Sequence, residues 1–159
     1  MRSVLFVCTA NICRSPMAMG LLQAKVNDES ESWRIGSAGT WTIEGESAAE
    51  KTLLVLEERG IDLSNHFSRS VTEELVGGYQ LILAMERGHK EALRIEFPQV
   101  AGRVFLLSEM IGKVFNINDP MGGTMIDFKE TAAEIDQILT EGFEKIARLS
   151  SELKPQATP

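Results

Sequence analysis

Cys8 and Arg14 stand with five residues between them in Cys-Thr-Ala-Asn-Ile-Cys-Arg, and Ser15-Pro16 follow at once. A thiol becomes a nucleophile as its thiolate, which a helix N-terminus and a neighbouring guanidinium both favour. A guanidinium is planar and always charged, so Arg14 can hold two oxygens of a phosphoryl group together. Backbone N–H groups wrapped in a loop before a helix bind the remaining oxygens without reorganising as charge shifts. Together these groups could carry an in-line attack of Cys8 on phosphorus, with a phosphocysteine intermediate. The bland alternative is a buried, inert cysteine at a strand end with Arg14 on the surface. The flanking sequence favours the site over that alternative.

Two elements must position these groups. Val4-Leu5-Phe6-Val7 is an apolar, partly β-branched run, suited to a parallel strand buried on both faces. After the loop, Ser15 is expected to N-cap a helix and Pro16 to take its first position. That helix is predicted over 16–27, with Met17, Leu21, Leu22 and Val26 as its apolar face. Trp33-Arg34-Ile35 reads as a short strand leading to Ser37-Ala38-Gly39. A helix over 48–59 places Leu53, Leu54 and Leu56 inward and uses Gly60 as its C-cap. A buried strand over 79–85, a helix over 88–95 and a strand over 103–107 follow. Residues 127–151 read as one long amphipathic helix carrying Ile135, Ile138, Leu139, Phe143 and Ile146. Alternating strands and helices predict an α/β fold of three layers, α-β-α, around a central, mostly parallel four-stranded sheet. Ligands in such sheets sit beyond the carboxyl ends of strands, where the Cys8 loop falls.

The chain has 159 residues, 43% of them hydrophobic, and a formal net charge of −7. That length and composition suit one soluble domain, expected over 1–154, with 155–159 as a frayed tail. The acidic balance argues against nucleic acid and against anionic membranes as partners. Both cysteines lie in the loop, so no disulfide framework is available and a cytoplasmic, reducing setting is expected. The apolar run after Met1-Arg2-Ser3 stops at Cys8, too soon for a signal-peptide core, and no stretch approaches a membrane span. Two distant histidines and two loop cysteines offer no metal-ligand spacing, and the chemistry requires no cofactor.

Residues 7 to 18, Val-Cys-Thr-Ala-Asn-Ile-Cys-Arg-Ser-Pro-Met-Ala, resemble the loop of low-molecular-weight protein tyrosine phosphatases. The resemblance continues through Ser37-Ala38-Gly39-Thr40, Gly60-Ile61-Asp62-Leu63-Ser64 with His66, and Leu81-Ile82-Leu83-Ala84-Met85. It ends at Asp119-Pro120 and a final helix, so it covers nearly the whole chain. By itself Asp-Pro is an ordinary turn signal. The resemblance makes Asp119 the general acid for the leaving oxygen and then the base for the water that cleaves phosphocysteine. It implies that Thr9, Ala10, Asn11, Ile12, Cys13, Arg14 and Ser15 surround the phosphate. It also implies that Asn11, Ser15, Ser37 and His66 knit the loop together. Trp41 falls where the family often has a substrate wall, and it could equally be a half-buried core aromatic. His89, in Arg87-Gly88-His89-Lys90, reads as a solvated helix residue. Cys13 either packs beneath the loop or, as the resemblance implies, traps an oxidised Cys8 as a disulfide.

Several positions depart from the family pattern. Ala10 replaces a common glycine, which would cost about 1 kcal/mol if the position needs positive φ. Met19 stands where a glutamate is frequent. Met121 with Gly122-Gly123 replaces the tyrosine of the eukaryotic branch, which points to the bacterial one. Arsenate reduction on this scaffold needs further cysteines that the chain lacks. Phosphoarginine phosphatases tend to carry Thr where this chain has Ile12, and an apolar side chain suits a phenyl ring better than a guanidinium. The expected substrates are therefore phosphotyrosine proteins, a bacterial tyrosine kinase among them, turned over by a monomer or weakly self-associating protein. A phosphate-binding or redox-sensing module without turnover is the reading from another class.

Overall fold

A computed structural model describes residues 1–155. Strands β1 (Arg2–Cys8), β2 (Trp33–Gly39), β3 (Leu81–Ala84) and β4 (Val104–Leu106) form one sheet in the order β2-β1-β3-β4. Every pairing is parallel. β1 is central, and its side chains alternate between two cores. Val4, Phe6 and Cys8 face a cluster with Met17, Leu21, Leu83, Phe128, Ile135 and Ile146. Leu5 and Val7 face Ala38, Ile82, Leu93, Val100 and Val104 on the other side. Helices thus cover both faces, as a buried parallel sheet requires.

The helices are α1 (Arg14–Lys25), α2 (Glu50–Glu57), α3 (Glu73–Gly77), α4 (Arg87–Glu96), α5 (Met125–Glu141) and α6 (Phe143–Glu152). The four-strand α/β architecture expected from sequence is present, with three corrections. β2 continues past Ile35 to Gly39, because Gly36 to Gly39 pair in register with Leu5 to Cys8. Residues 127–151 do not form one helix: the chain breaks at Gly142, where a Cβ would lie 2.9 Å from Met110 Cβ. The close approach of Met110 is what makes glycine necessary there. Leu54 points to solvent, while Thr52, Val55 and Leu56 form the buried face of α2.

Helix α1 also begins earlier than expected. Arg14 opens it and Cys13 flanks it, so Ser15 is inside the helix and caps nothing. Pro16 is its third residue, still within the first turn, where a missing N–H costs little. The expected tail at 155–159 lies almost wholly outside the described residues. No helix among the described residues is long and apolar enough to cross a membrane.

Candidate active site

The loop from Cys8 to Arg14 lies between the carboxyl end of β1 and the start of α1, at the edge where β2 and β3 diverge around the central strand. All six backbone carbonyls from Cys8 to Cys13 are engaged. Those of Cys8, Thr9, Ile12 and Cys13 accept from the N–H groups of Thr40 (2.9 Å), Trp41 (3.0 Å), Ala49 (2.9 Å) and Met17 (3.1 Å). Ala10 O accepts from Thr42 Oγ1. Asn11 O accepts from His66 Nε2 at 2.7 Å. None of the N–H groups of residues 10–13 donates to an acceptor among the described residues. The loop therefore holds its acceptors outward and keeps its donors for an anion. Gly39 makes this possible, since a Cβ there would collide with the Thr9 carbonyl oxygen.

Asn11 anchors the interior. It is fully buried and has φ 59, the one left-handed non-glycine among the described residues. Asn tolerates that region better than most residues. Its Nδ2 donates to Ser15 Oγ at 2.8 Å and Ser37 Oγ at 2.9 Å, and its Oδ1 accepts from Arg69 N at 3.0 Å. The strain expected at Ala10 is absent, because the positive φ falls on Asn11 instead.

Cys8 Sγ lies 2.9 Å from Ser15 Oγ. Ser15 already accepts from Asn11, so its own proton is available to the sulfur. Arg14 is only 2% exposed. Its Nη1 donates to Glu86 Oε2 at 2.8 Å and to Ile117 O at 2.7 Å, and its Nη2 lies 3.6 Å from Asp119 Oδ2. Asp119 is 47% exposed in its side chain and accepts from Met121 N at 3.0 Å through Oδ1. Ile117 fixes this segment by donating to Met85 O at 2.9 Å. The acid candidate thus sits beside the phosphate clamp without being buried.

Cys13 is buried under the loop, and burial pushes its thiol up to about 12. It stays protonated at neutral pH and would have to lose that proton to attack an oxidised Cys8. Both cysteines are free thiols. Burial also holds the His66 imidazole below its ordinary pKa, against the pull of the Asn11 carbonyl.

The structure brings together Cys8 to Ser15, Ser37, His66 and Asp119. Trp41 is 84% exposed, so it is not a half-buried core aromatic, although its backbone N–H holds Thr9. His89 is not solvated: it is 6% exposed and its Nε2 lies 2.8 Å from Thr9 Oγ1. Charged neighbours on α4 conceal this in the sequence. Sequence reasoning also misses Glu86, the partner of Arg14. The available signal was a carboxylate just past the end of a buried parallel strand, on the ligand-binding side of the sheet. Among the described residues no cluster of His, Cys, Asp or Glu could hold a metal ion.

Comparison with known proteins agrees with this geometry. A model of the family described as low molecular weight phosphotyrosine protein phosphatase matches residues 3–152. A protein-arginine-phosphatase of Bacillus subtilis is 34% identical over 139 residues, covering 87% of this chain and 92% of that protein. The low molecular weight protein-tyrosine-phosphatase Ptp of Acinetobacter johnsonii is 35% identical over 140 residues, covering 88% and 94%. The crystal structure of a low molecular weight protein tyrosine phosphatase from T. tengcongensis superposes with a TM-score of 0.87. It is 38% identical, with 91% of this chain and 99% of that chain covered.

Proposed function

The chain belongs to the low molecular weight phosphotyrosine protein phosphatase family, and from that premise we propose that it hydrolyses phosphotyrosine in proteins through a phosphocysteine at Cys8. The observation that carries the mechanism is the loop itself: acceptors tied outward, donors free, Cys8 against Ser15 and Arg14 at its end. Phosphate oxygens would lie on the loop N–H groups and the Arg14 guanidinium. The Cys8 sulfur then forms its bond to phosphorus as the tyrosyl oxygen leaves. Asp119, beside Arg14 and open to solvent, donates a proton to that oxygen. In the second step the Asp119 carboxylate takes a proton from a water that attacks phosphorus and releases Cys8.

Phosphotyrosine is favoured by exposed apolar side chains on the segments that flank the loop and Asp119. Ile12 is half-buried in the loop, and Trp41, Ile43 and Met121 are 84%, 70% and 52% exposed. An indole face can stack on a phenol ring. A tyrosine-phosphorylated kinase is the protein partner we infer. Phosphoarginine is the second reading, because the B. subtilis relative bears that activity in its name.

Hydrolysis of p-nitrophenyl phosphate by wild type, Cys8→Ser and Asp119→Ala tests the mechanism. Cys8→Ser should fall to background, and Asp119→Ala should lose roughly 10²- to 10⁴-fold. Turnover by Cys8→Ser would end the phosphocysteine reading. Parallel assays with phosphotyrosine and phosphoarginine peptides decide the substrate. A preference for phosphoarginine in wild type, or its indifference to Ile12→Thr, would overturn the role given to Ile12.

A further inference from the structure

Thr9 and His89 form a second hydrogen-bonded device on the flank of the loop opposite Asn11. His89 lies in the first turn of α4 and is buried. Its Nδ1 accepts the backbone N–H of Glu86 at 3.2 Å. That bond requires a bare Nδ1, so the proton of the neutral ring sits on Nε2. Nε2 is 2.8 Å from Thr9 Oγ1 and 3.6 Å from Glu86 Oε2, whose carboxylate is already taken by Arg14. The ring therefore donates to Thr9, and Thr9 Oγ1 has no other partner among the described residues. Its hydroxyl proton therefore has no acceptor among the described residues. Burial first, and then the nearby Arg14 charge, hold the imidazole neutral, as this arrangement needs.

We propose that His89 is a positioning residue that turns the Thr9 hydroxyl into a fixed donor for the phosphoryl group, while tying α4 through Glu86 to Arg14. This rests on the phosphate-binding part of the function proposed above. It follows the logic of Asn11 and Ser15, where an accepted hydrogen bond frees a hydroxyl proton for the reacting atoms. An imidazolium would lose the Glu86 N–H bond, because Nδ1 would then donate.

Two substitutions separate the two nitrogens. His89→Asn keeps an acceptor near the Nδ1 position and loses the donor to Thr9. His89→Gln places an amide N–H near Nε2 and loses the acceptor. Thr9→Val removes the hydroxyl with little change in shape. We expect Thr9→Val and His89→Asn each to lower kcat for p-nitrophenyl phosphate by about tenfold, the scale of one hydrogen bond. The double variant should lose no more than either alone. His89→Gln should stay within about threefold of wild type, and ring ¹⁵N spectra at pH 7 should show a neutral imidazole protonated at Nε2. An Nδ1-protonated ring, multiplying losses in the double variant, or a His89→Gln as impaired as His89→Asn would overturn the proposal. An NMR titration with inorganic phosphate reads the same pair without turnover, and thermal melts identify any variant that fails to fold. Weaker phosphate binding by Thr9→Val in a wild-type background that does not hydrolyse ester would sustain this inference while ending the phosphatase reading. Equal phosphate binding by wild type and Thr9→Val would end this inference alone.

Discussion

Between Cys8 and Cys13 every carbonyl has a partner, and Asn11 ties Ser15, Ser37 and Arg69 from a fully buried position. Some 100 residues later, the segment around Asp119 is built differently. Its carboxylate is half exposed and receives one backbone N–H, from Met121, with Arg14 at 3.6 Å. One loop is over-determined and the other lightly held. The contrast matches the two tasks proposed for them. A phosphoryl site works best when its dipoles are fixed before charge develops. An acid must meet leaving groups of varied shape and then admit water, which a buried carboxyl could not do.

The largest effect should come from the over-determined side. Asn11→Ala removes three hydrogen bonds, two of them buried, and leaves alanine at φ 59. It should cost about 3 kcal/mol or more in urea unfolding and at least ~10²-fold in kcat/KM. Asn11→Gly relieves the backbone and should recover about 1 kcal/mol without restoring activity. A neutral Asn11→Ala would erase the contrast.

Acidification sharpens it next. His66 donates to Asn11 O and His89 to Thr9, and both have folded pKa values below the ordinary 6.5. The unfolded chain therefore takes up protons that the folded chain refuses. Stability should be full above about pH 6.5 and decline as pH falls from there through the lowered folded values. Urea midpoints at pH 8 and pH 5.5 would show it, and His66→Gln/His89→Gln should flatten the difference. Glu109, also depressed below its ordinary 4.5, adds stability that is lost only as pH falls below about 4.5.

The smallest effect should come from the lightly held side. Lys51 Nζ donates to Gly123 O at 3.1 Å in an exposed bond that tethers the acid segment to α2. Lys51→Met should cost under ~1 kcal/mol and change kcat by less than about threefold. A larger loss would mean that the Asp119 segment is held as firmly as the phosphate loop.

How much of this was legible depended on how local the cause was. β1, the loop and Arg14 could be read because strand, anion cradle and helix follow one another along the chain. The sequence shows β2 only as far as Ile35, since Gly36-Ser37-Ala38-Gly39 has poor strand propensity and is held by pairing with β1. The break at Gly142 was invisible because the apolar period of α5 continues into α6. Only the contact with Met110 reveals it. Ser15 looked like a cap for want of knowledge that Cys8 and Asn11 would claim its hydroxyl. The sequence hides the contact of His89 for the same reason, its partner Thr9 being 80 positions away.

Arg14 touches Ile117 across 103 positions and Glu86 across 72, while Asn11 reaches His66 across 55. Contacts so remote along the chain form only after long loops have closed, late in folding and at an entropic cost. A chain still folding, or one missing its last third, can present Cys8 and Arg14 but not a working cradle. Recovery of activity during refolding should therefore trail the recovery of helix seen by circular dichroism, and enzyme assay becomes a sensitive reporter of the finished topology.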